Sequence, residues 1–310
     1  MADRRVLVLG GTGFVGRALC DQWFAGPLPA AGRLLVPTRR RAHAAHLLTW
    51  PGVDVIEANV HDDTALAELV AQADAVVNLV AILHGTPAQF EQAHVVLPQR
   101  LRLACERAGV KQLVHVSALG VPEQAQQAPS HYLRTKALGE AALRASSSLV
   151  VTVLRPKNDT GAHDKFLNLF AAMQAVAPFV PLASASARFQ PVWVQDVAKA
   201  LVHVLQQPKA EGGVYECAGP DVLTLADLVR LAGKYSGHPR AVLPMPDVVG
   251  RIQAAILQRL PGAPLMSSDN LDSMRVPNVA TGQCPGLQAL GITPSSLHAV
   301  APGYLSSRAC

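Results

Sequence analysis

Cysteine, charge and aromatic rings are all scarce in this chain. Its cysteines, Cys20, Cys105, Cys217, Cys284 and Cys310, form no C-x-x-C pair, so neither a disulfide framework nor a zinc cluster is expected and a reducing compartment fits. Aromatic residues make up 5% and charged residues 16% of 310 positions, against 50% hydrophobic ones, a balance that excludes a disordered tail. Lys and Arg outnumber Asp and Glu by 27 to 22, and a net +5 is far from the basic stripe that nucleic acid requires. No apolar run approaches the ~18 residues that span a bilayer, and Val6–Leu9 is too short for a signal-peptide core. The cytoplasm is the default location. A mean hydropathy of +0.22 with so few charges leaves a peripheral place at the inner membrane open.

What is present is a strand-then-helix rhythm. Short apolar or β-branched runs at Arg5–Leu9, Leu34–Val36, Val53–Ile56, Ala75–Val80, Gln112–Val116 and Leu149–Leu154 are of strand length and bounded by turn residues. Helical patterns fill the gaps at Gly13–Phe24, Arg41–Thr49, Asp62–Ala71, Ala88–Ala108 and Ser130–Arg144. Near-continuous apolar strands alternating with amphipathic helices predict an α/β, Rossmann-type doubly wound parallel sheet, closed by its sixth strand near residue 155. Past that point Pro and Gly become frequent. Helices at Gln195–Leu205 and Leu223–Tyr235, with short strands near Phe189–Trp193 and Val214–Cys217, predict a smaller, mostly helical region over 156–310, interleaved with a nucleotide-binding domain over 1–155.

The run Val6-Leu-Val-Leu-Gly10-Gly-Thr-Gly13-Phe-Val-Gly16 carries a buried strand straight into three spaced glycines and a helix. One glycine allows the tight turn, one lets the backbone approach a pyrophosphate, and one lets the helix pack closely, with its N-terminal N–H groups aimed at the anion. The strand-turn-helix context makes a dinucleotide the expected ligand. After the second strand the chain reads Pro37-Thr-Arg39-Arg40-Arg41, with no carboxylate for a ribose 2′-hydroxyl. Arg39 or Arg40 would pair with a 2′-phosphate, which favours NADP(H) over NAD(H).

Tyr132 and Lys136 are four apart in the fifth helix and share one face. An ammonium beside a phenol stabilises its phenolate, the form that takes up a proton in hydride-transfer chemistry. Ser117, at the end of the fifth strand, is either a hydrogen-bond donor to a substrate carbonyl or a hydroxyl satisfying its own turn.

These segments resemble the extended short-chain dehydrogenase/reductase superfamily, in the NAD-dependent epimerase/dehydratase-like group. The closest likeness is to the atypical branch holding the NADPH-binding accessory subunit of respiratory complex I and its bacterial relatives. The likeness runs through Gly10–Gly16, Asn78–Ala81, Val114–Gly120, Tyr132–Glu140, Lys165–Phe170 and Gln190–Val197. It implies Gly10, Thr12, Gly13, Phe14, Val15 and Gly16 as pyrophosphate-loop positions and Arg39 as the 2′-phosphate contact. It also implies Asn59 and Val60 beside adenine, Val80 and Ala81 along the cofactor path, and Tyr132 and Lys136 at the nicotinamide ribose. Three departures stand out. Asn59 replaces the usual Asp, the short gap from Ser117 to Tyr132 sets Leu119 against Ser117 for the catalytic-hydroxyl position, and polar Lys157-Asn-Asp-Thr160 replaces apolar residues.

His43 and His46, three apart beside Arg40 and Arg41, read as a surface face and no metal site is expected. The stretch 247–260 places Val248, Val249, Ile252, Ala255, Ile256 and Leu260 opposite Arg251 and Arg259, a core face or a peripheral membrane or partner face. The resemblance implies an NADP(H)-binding protein whose nucleotide is structural or regulatory, with a respiratory-chain or other protein partner. The alternatives are an oxidoreductase or epimerase working through Tyr132, Lys136 and Ser117 on a carbonyl, quinone or nucleotide-sugar substrate, and a redox sensor.

Overall fold

A computed structural model describes residues 4–26, 30–156, 160–164, 166–207, 212–246, 268–274, 276 and 278–306. Lys157, Asn158, Asp159, Lys165 and the whole 247–260 stretch lie outside the described residues.

Strands β1 (Arg5–Leu9), β2 (Arg33–Thr38), β3 (Val53–Glu57), β4 (Ala75–Asn78), β5 (Gln112–Val116) and β6 (Val150–Pro156) form the expected parallel sheet. A seventh strand, Gly213–Cys217, joins it, and the order from edge to edge is 3-2-1-4-5-6-7 by position in the sheet's own sequence. The sheet therefore does not close near residue 155. Thr152 to Pro156 pair in parallel register with Gly213 to Cys217, so the second half of the chain completes the first.

Both faces of the sheet are covered, which is why its strands read as near-continuous apolar runs. Val6, Val8, Val114 and Val116 point into one core with Trp23 of helix α1 (Phe14–Ala25) and Leu201 of the helix Val194–Gln206. Leu7, Leu9, Val76 and Leu113 point into the other with α2 (Asp63–Val70), the helix Leu97–Ala108 and Leu143 of the helix His131–Arg144. A third core joins the helices Leu167–Val176, Leu225–Tyr235 and Leu297–Leu305 beside the strands Phe179–Ala183 and Ala241–Met245, which pair in parallel.

Two expected helices differ. The segment Arg41–Leu47 is a 3-10 turn in which His43 is exposed and His46 half-buried. The segment Ala88–Ala108 is not one regular helix. Thr86 and Gln89 form a reciprocal capping box before Pro87–Glu91, a π-turn occupies Gln92–Val96, and a regular helix resumes at Leu97. Pro98 accounts for the break, because it has no N–H to donate to the carbonyl of His94 four residues earlier. The expected strand at Phe189–Trp193 is reduced to Arg188–Phe189, paired antiparallel with Leu223–Thr224.

Candidate functional site

Because every strand of the main sheet is parallel, its C-terminal ends lie along one edge, where the order reverses between β1 and β4. The glycine turn follows β1, Arg39 follows β2, Asn59 follows β3, Val80 follows β4 and Ser117 follows β5. Topology alone thus brings the expected residues to one edge.

The turn is built from close backbone approaches. Gly10 has φ +78°, and a side chain there would meet the Leu79 carbonyl carbon at 3.0 Å and the Val80 nitrogen at 3.1 Å. A Cβ at Gly16 would come within 2.2 Å of the Gly11 carbonyl oxygen. At Gly13, by contrast, it would meet a single neighbour, the Gly10 oxygen at 3.2 Å, and Gly13 is exposed. Helix α1 begins at Gly13 with no side-chain cap, and the first intrahelical donor is Arg17, to the Gly13 carbonyl at 3.0 Å. The first-turn N–H groups of Phe14, Val15 and Gly16 thus have no partner within the helix. An uncapped helix start behind a glycine cradle fits a pyrophosphate. Thr12 is half-buried in the turn, and the Phe14 ring lies within 3.4 Å of where a Gly161 side chain would be, so the second half of the chain abuts the turn.

Past the ends of β2 and β3, Arg39, Glu57, Ala58 and Asn59 line a cleft of about 440 Å³. Glu57 corrects the expectation that no carboxylate lies near: it ends β3, in register with Thr38. Asn59 accepts the His61 N–H through Oδ1 at 3.1 Å, a bond an Asp would also make. His61 is held below its usual range by burial and then by Arg100 and Arg39, which disfavours its charged form, and Arg100 itself pairs with Asp63. Arg40 is exposed and does not line the cleft. Val60 and Val80 are half-buried against one core, and Ala81 is exposed.

The helix His131–Arg144 supplies Tyr132 and Lys136. Ser130 caps it through Leu133, and the carboxylate of Asp269 accepts the N–H of His131 at 2.7 Å and of Tyr132 at 3.2 Å. Tyr132 is half-buried. Lys136 is 1% exposed, and its ammonium donates to the Val116 carbonyl at 2.9 Å, tying this helix to β5. Burial draws its pKa down to about 8 against the opposing pull of Glu140. Ser117 is buried and its Oγ has no hydrogen-bond partner among the described residues, whereas Leu119 is fully buried and apolar. His115, on the same side of β5 as Ser117, takes a hydrogen bond from the Asn78 amide, and burial, Lys136 and His94 keep it neutral.

A model of the NAD dependent epimerase/dehydratase family matches residues 6–218, which takes in the glycine turn, all seven strands of the sheet and the Tyr132 helix. The chain belongs to that family. It is also similar to the mouse protein named NADH dehydrogenase [ubiquinone] 1 alpha subcomplex subunit 9, mitochondrial, with 27% identity over 94% of this chain and 77% of that protein. Among solved structures, the Escherichia coli NADPH-dependent quinone oxidoreductase QOR2 in complex with NADPH superposes with a TM-score of 0.73 at 19% identity, over 96% of this chain and 98% of its own. The dTDP-glucose 4,6-dehydratase DesIV of Streptomyces venezuelae, with NAD and TYD bound, gives 0.71 at 21%, over 97% and 95%. At those identities the two structures speak for the fold.

Glu57, His94, His115 and Asp269 also lie beside the candidate site residues, where no sequence motif assigns them. Asp269 acts 137 residues from Tyr132 in the chain, a distance no local pattern bridges. Pro98, inside an otherwise helical run, was the available signal for His94. Among the described residues no cluster of three or more His, Cys, Asp or Glu is arranged to hold a metal, and no helix is long and apolar enough to cross a membrane.

Proposed function

We propose that this chain binds NADP(H) along the edge just described and keeps it as a structural or regulatory ligand within a respiratory or quinone-related assembly. The glycine cradle carries the binding: an uncapped helix start, with Gly16 pressed on Gly11 and only Gly13 open to a ligand. In this reading Gly10, Thr12, Gly13, Phe14, Val15 and Gly16 hold the pyrophosphate and Arg39, which lines the cleft where Arg40 does not, takes the 2′-phosphate. Asn59 and Val60 border adenine, Val80 and Ala81 line the path, and Tyr132 and Lys136 stand at the nicotinamide ribose. A bound nicotinamide supplies a hydride donor or acceptor. The structural role is supported by the likeness to the mouse NADH dehydrogenase subunit.

Ser117 favours a second reading. A buried hydroxyl without a partner among the described residues suits a substrate carbonyl, and with Tyr132 and Lys136 it would make an NADP-dependent oxidoreductase or epimerase. Screening NADPH oxidation against aldehydes, ketones, quinones and nucleotide sugars separates the two, with Tyr132→Phe as control. The structural reading expects no turnover that depends on the Tyr132 hydroxyl and a rise in melting temperature when NADPH is added. Hydroxyl-dependent turnover at roughly 1 per second or faster would establish the enzyme instead.

A further inference from the structure

Between the cofactor path and the Tyr132 helix stands a histidine with both ring nitrogens engaged. His94 is 2% exposed and sits in the π-turn Gln92–Val96. Its Nε2 lies 3.1 Å from the Ile82 nitrogen, and its Nδ1 lies 3.0 Å from Thr135 Oγ1. The backbone N–H of Ile82 can only donate, so Nε2 is the acceptor and Nδ1 carries the proton. The Nδ1–H therefore donates to Thr135, whose hydroxyl donates in turn to the His131 carbonyl at 2.9 Å. A directed chain runs from the loop after β4, through the imidazole, into the helix that bears Tyr132 and Lys136.

The π-turn makes this reach possible. Leu97 donates to the carbonyl of Gln92, five residues back, and Pro98 cannot donate to the His94 carbonyl. That carbonyl instead rests on Gly139, where a Cβ would come within 2.0 Å of it. The ring meets Tyr132 edge-on at 5.5 Å and lies 5.7 Å from Phe90. On the loop side, Asn78 Oδ1 accepts the Val80 N–H at 3.1 Å, so the cofactor-path backbone is pinned at Val80 by Asn78 and at Ile82 by His94.

We propose that His94 is a positioning residue: a two-ended tie that holds the cofactor-path loop at Ile82 in fixed relation to the helix carrying Tyr132 and Lys136. Its consequence for nucleotide binding rests on the dinucleotide reading above; the tie itself does not.

The test compares His94→Leu, which removes both hydrogen bonds, with His94→Gln, which carries an acceptor and a donor on one side chain. Amide hydrogen exchange at Ile82 is measured first in nucleotide-free protein. Exchange about tenfold or more faster in His94→Leu, with His94→Gln close to the unmodified protein, is the expected result. Equal exchange in all three overturns the proposal. NADPH affinity should then fall about tenfold in His94→Leu and recover in His94→Gln, a rescue that a merely space-filling ring would not show. An unmodified protein that binds neither NADPH nor NADH would refute the dinucleotide reading while the exchange result still decides the tie. Thr135→Val removes only the far partner and is expected to repeat the His94→Leu exchange pattern, with Thr135→Ser retaining the slow exchange; Thr135→Val exchanging like the unmodified protein overturns the two-ended tie even if His94→Leu fails to fold.

Discussion

Gly13→Val is expected to lower NADPH affinity by about a hundredfold or more while the protein stays folded. The glycines of the turn separate cleanly on this point. A Cβ at Gly16 would overlap the Gly11 backbone at 2.2–2.5 Å, so a substitution there distorts the turn whatever binds to it. Gly13 has an extended backbone, φ −81° and ψ −174°, which a branched residue adopts readily, and its Cβ would press on a single carbonyl of the same turn. The cost to folding is thus about 1 kcal/mol, or a few degrees of melting temperature. A valine would occupy the exposed side of the turn, where the proposed pyrophosphate would lie. A Gly13→Val protein with unchanged NADPH affinity, measured by calorimetry, would place the phosphates elsewhere.

The largest expected loss of stability comes from Glu140. Its carboxylate, 4% exposed, meets the Arg155 guanidinium, 12% exposed, through contacts of 2.6, 3.0 and 3.2 Å, joining the Tyr132 helix to the end of β6. Glu140→Leu leaves that guanidinium buried without its main partner, which costs about 3–5 kcal/mol, on the order of 10 °C in melting temperature. Glu216 is near but already accepts from the Thr281 hydroxyl and the N–H groups of Thr281 and Gly282, so it offsets little. The double variant Glu140→Leu with Arg155→Met should recover part of the loss, since the guanidinium no longer needs solvating while buried Lys136 still lacks the Glu140 charge. A single variant costing under about 1 kcal/mol in denaturant unfolding would show that the pair is not what joins helix to strand.

The sheet and the glycine turn were legible because both are local. A strand buried on two faces is a short apolar run, and Gly10, Gly13 and Gly16 follow one at fixed spacing. The i, i+4 spacing of Tyr132 and Lys136 is equally local. The strand Gly213–Cys217 was visible as a strand, but its place was not: its pairing with β6 spans some sixty residues, and the change in composition after Pro156 pointed to a separate region. Glu57 was missed because the end of β2 was read without its neighbour, although parallel pairing sets Thr38 beside it. The continuous helix expected over Ala88–Ala108 concealed His94, since the proline that breaks its hydrogen-bond ladder was passed over.

A calorimetric titration of the unmodified protein with NADPH and with NADH tests the proposed 2′-phosphate contact of Arg39 most directly. Two groups compete at that end of the cleft: the Arg39 guanidinium suits a phosphate, and the Glu57 carboxylate suits a ribose hydroxyl and repels a phosphate. With the Arg39 guanidinium lining the cleft, the expected result is one NADPH per chain, bound at least about tenfold more tightly than NADH. NADH binding the more tightly would hand the ribose to Glu57 and contradict it.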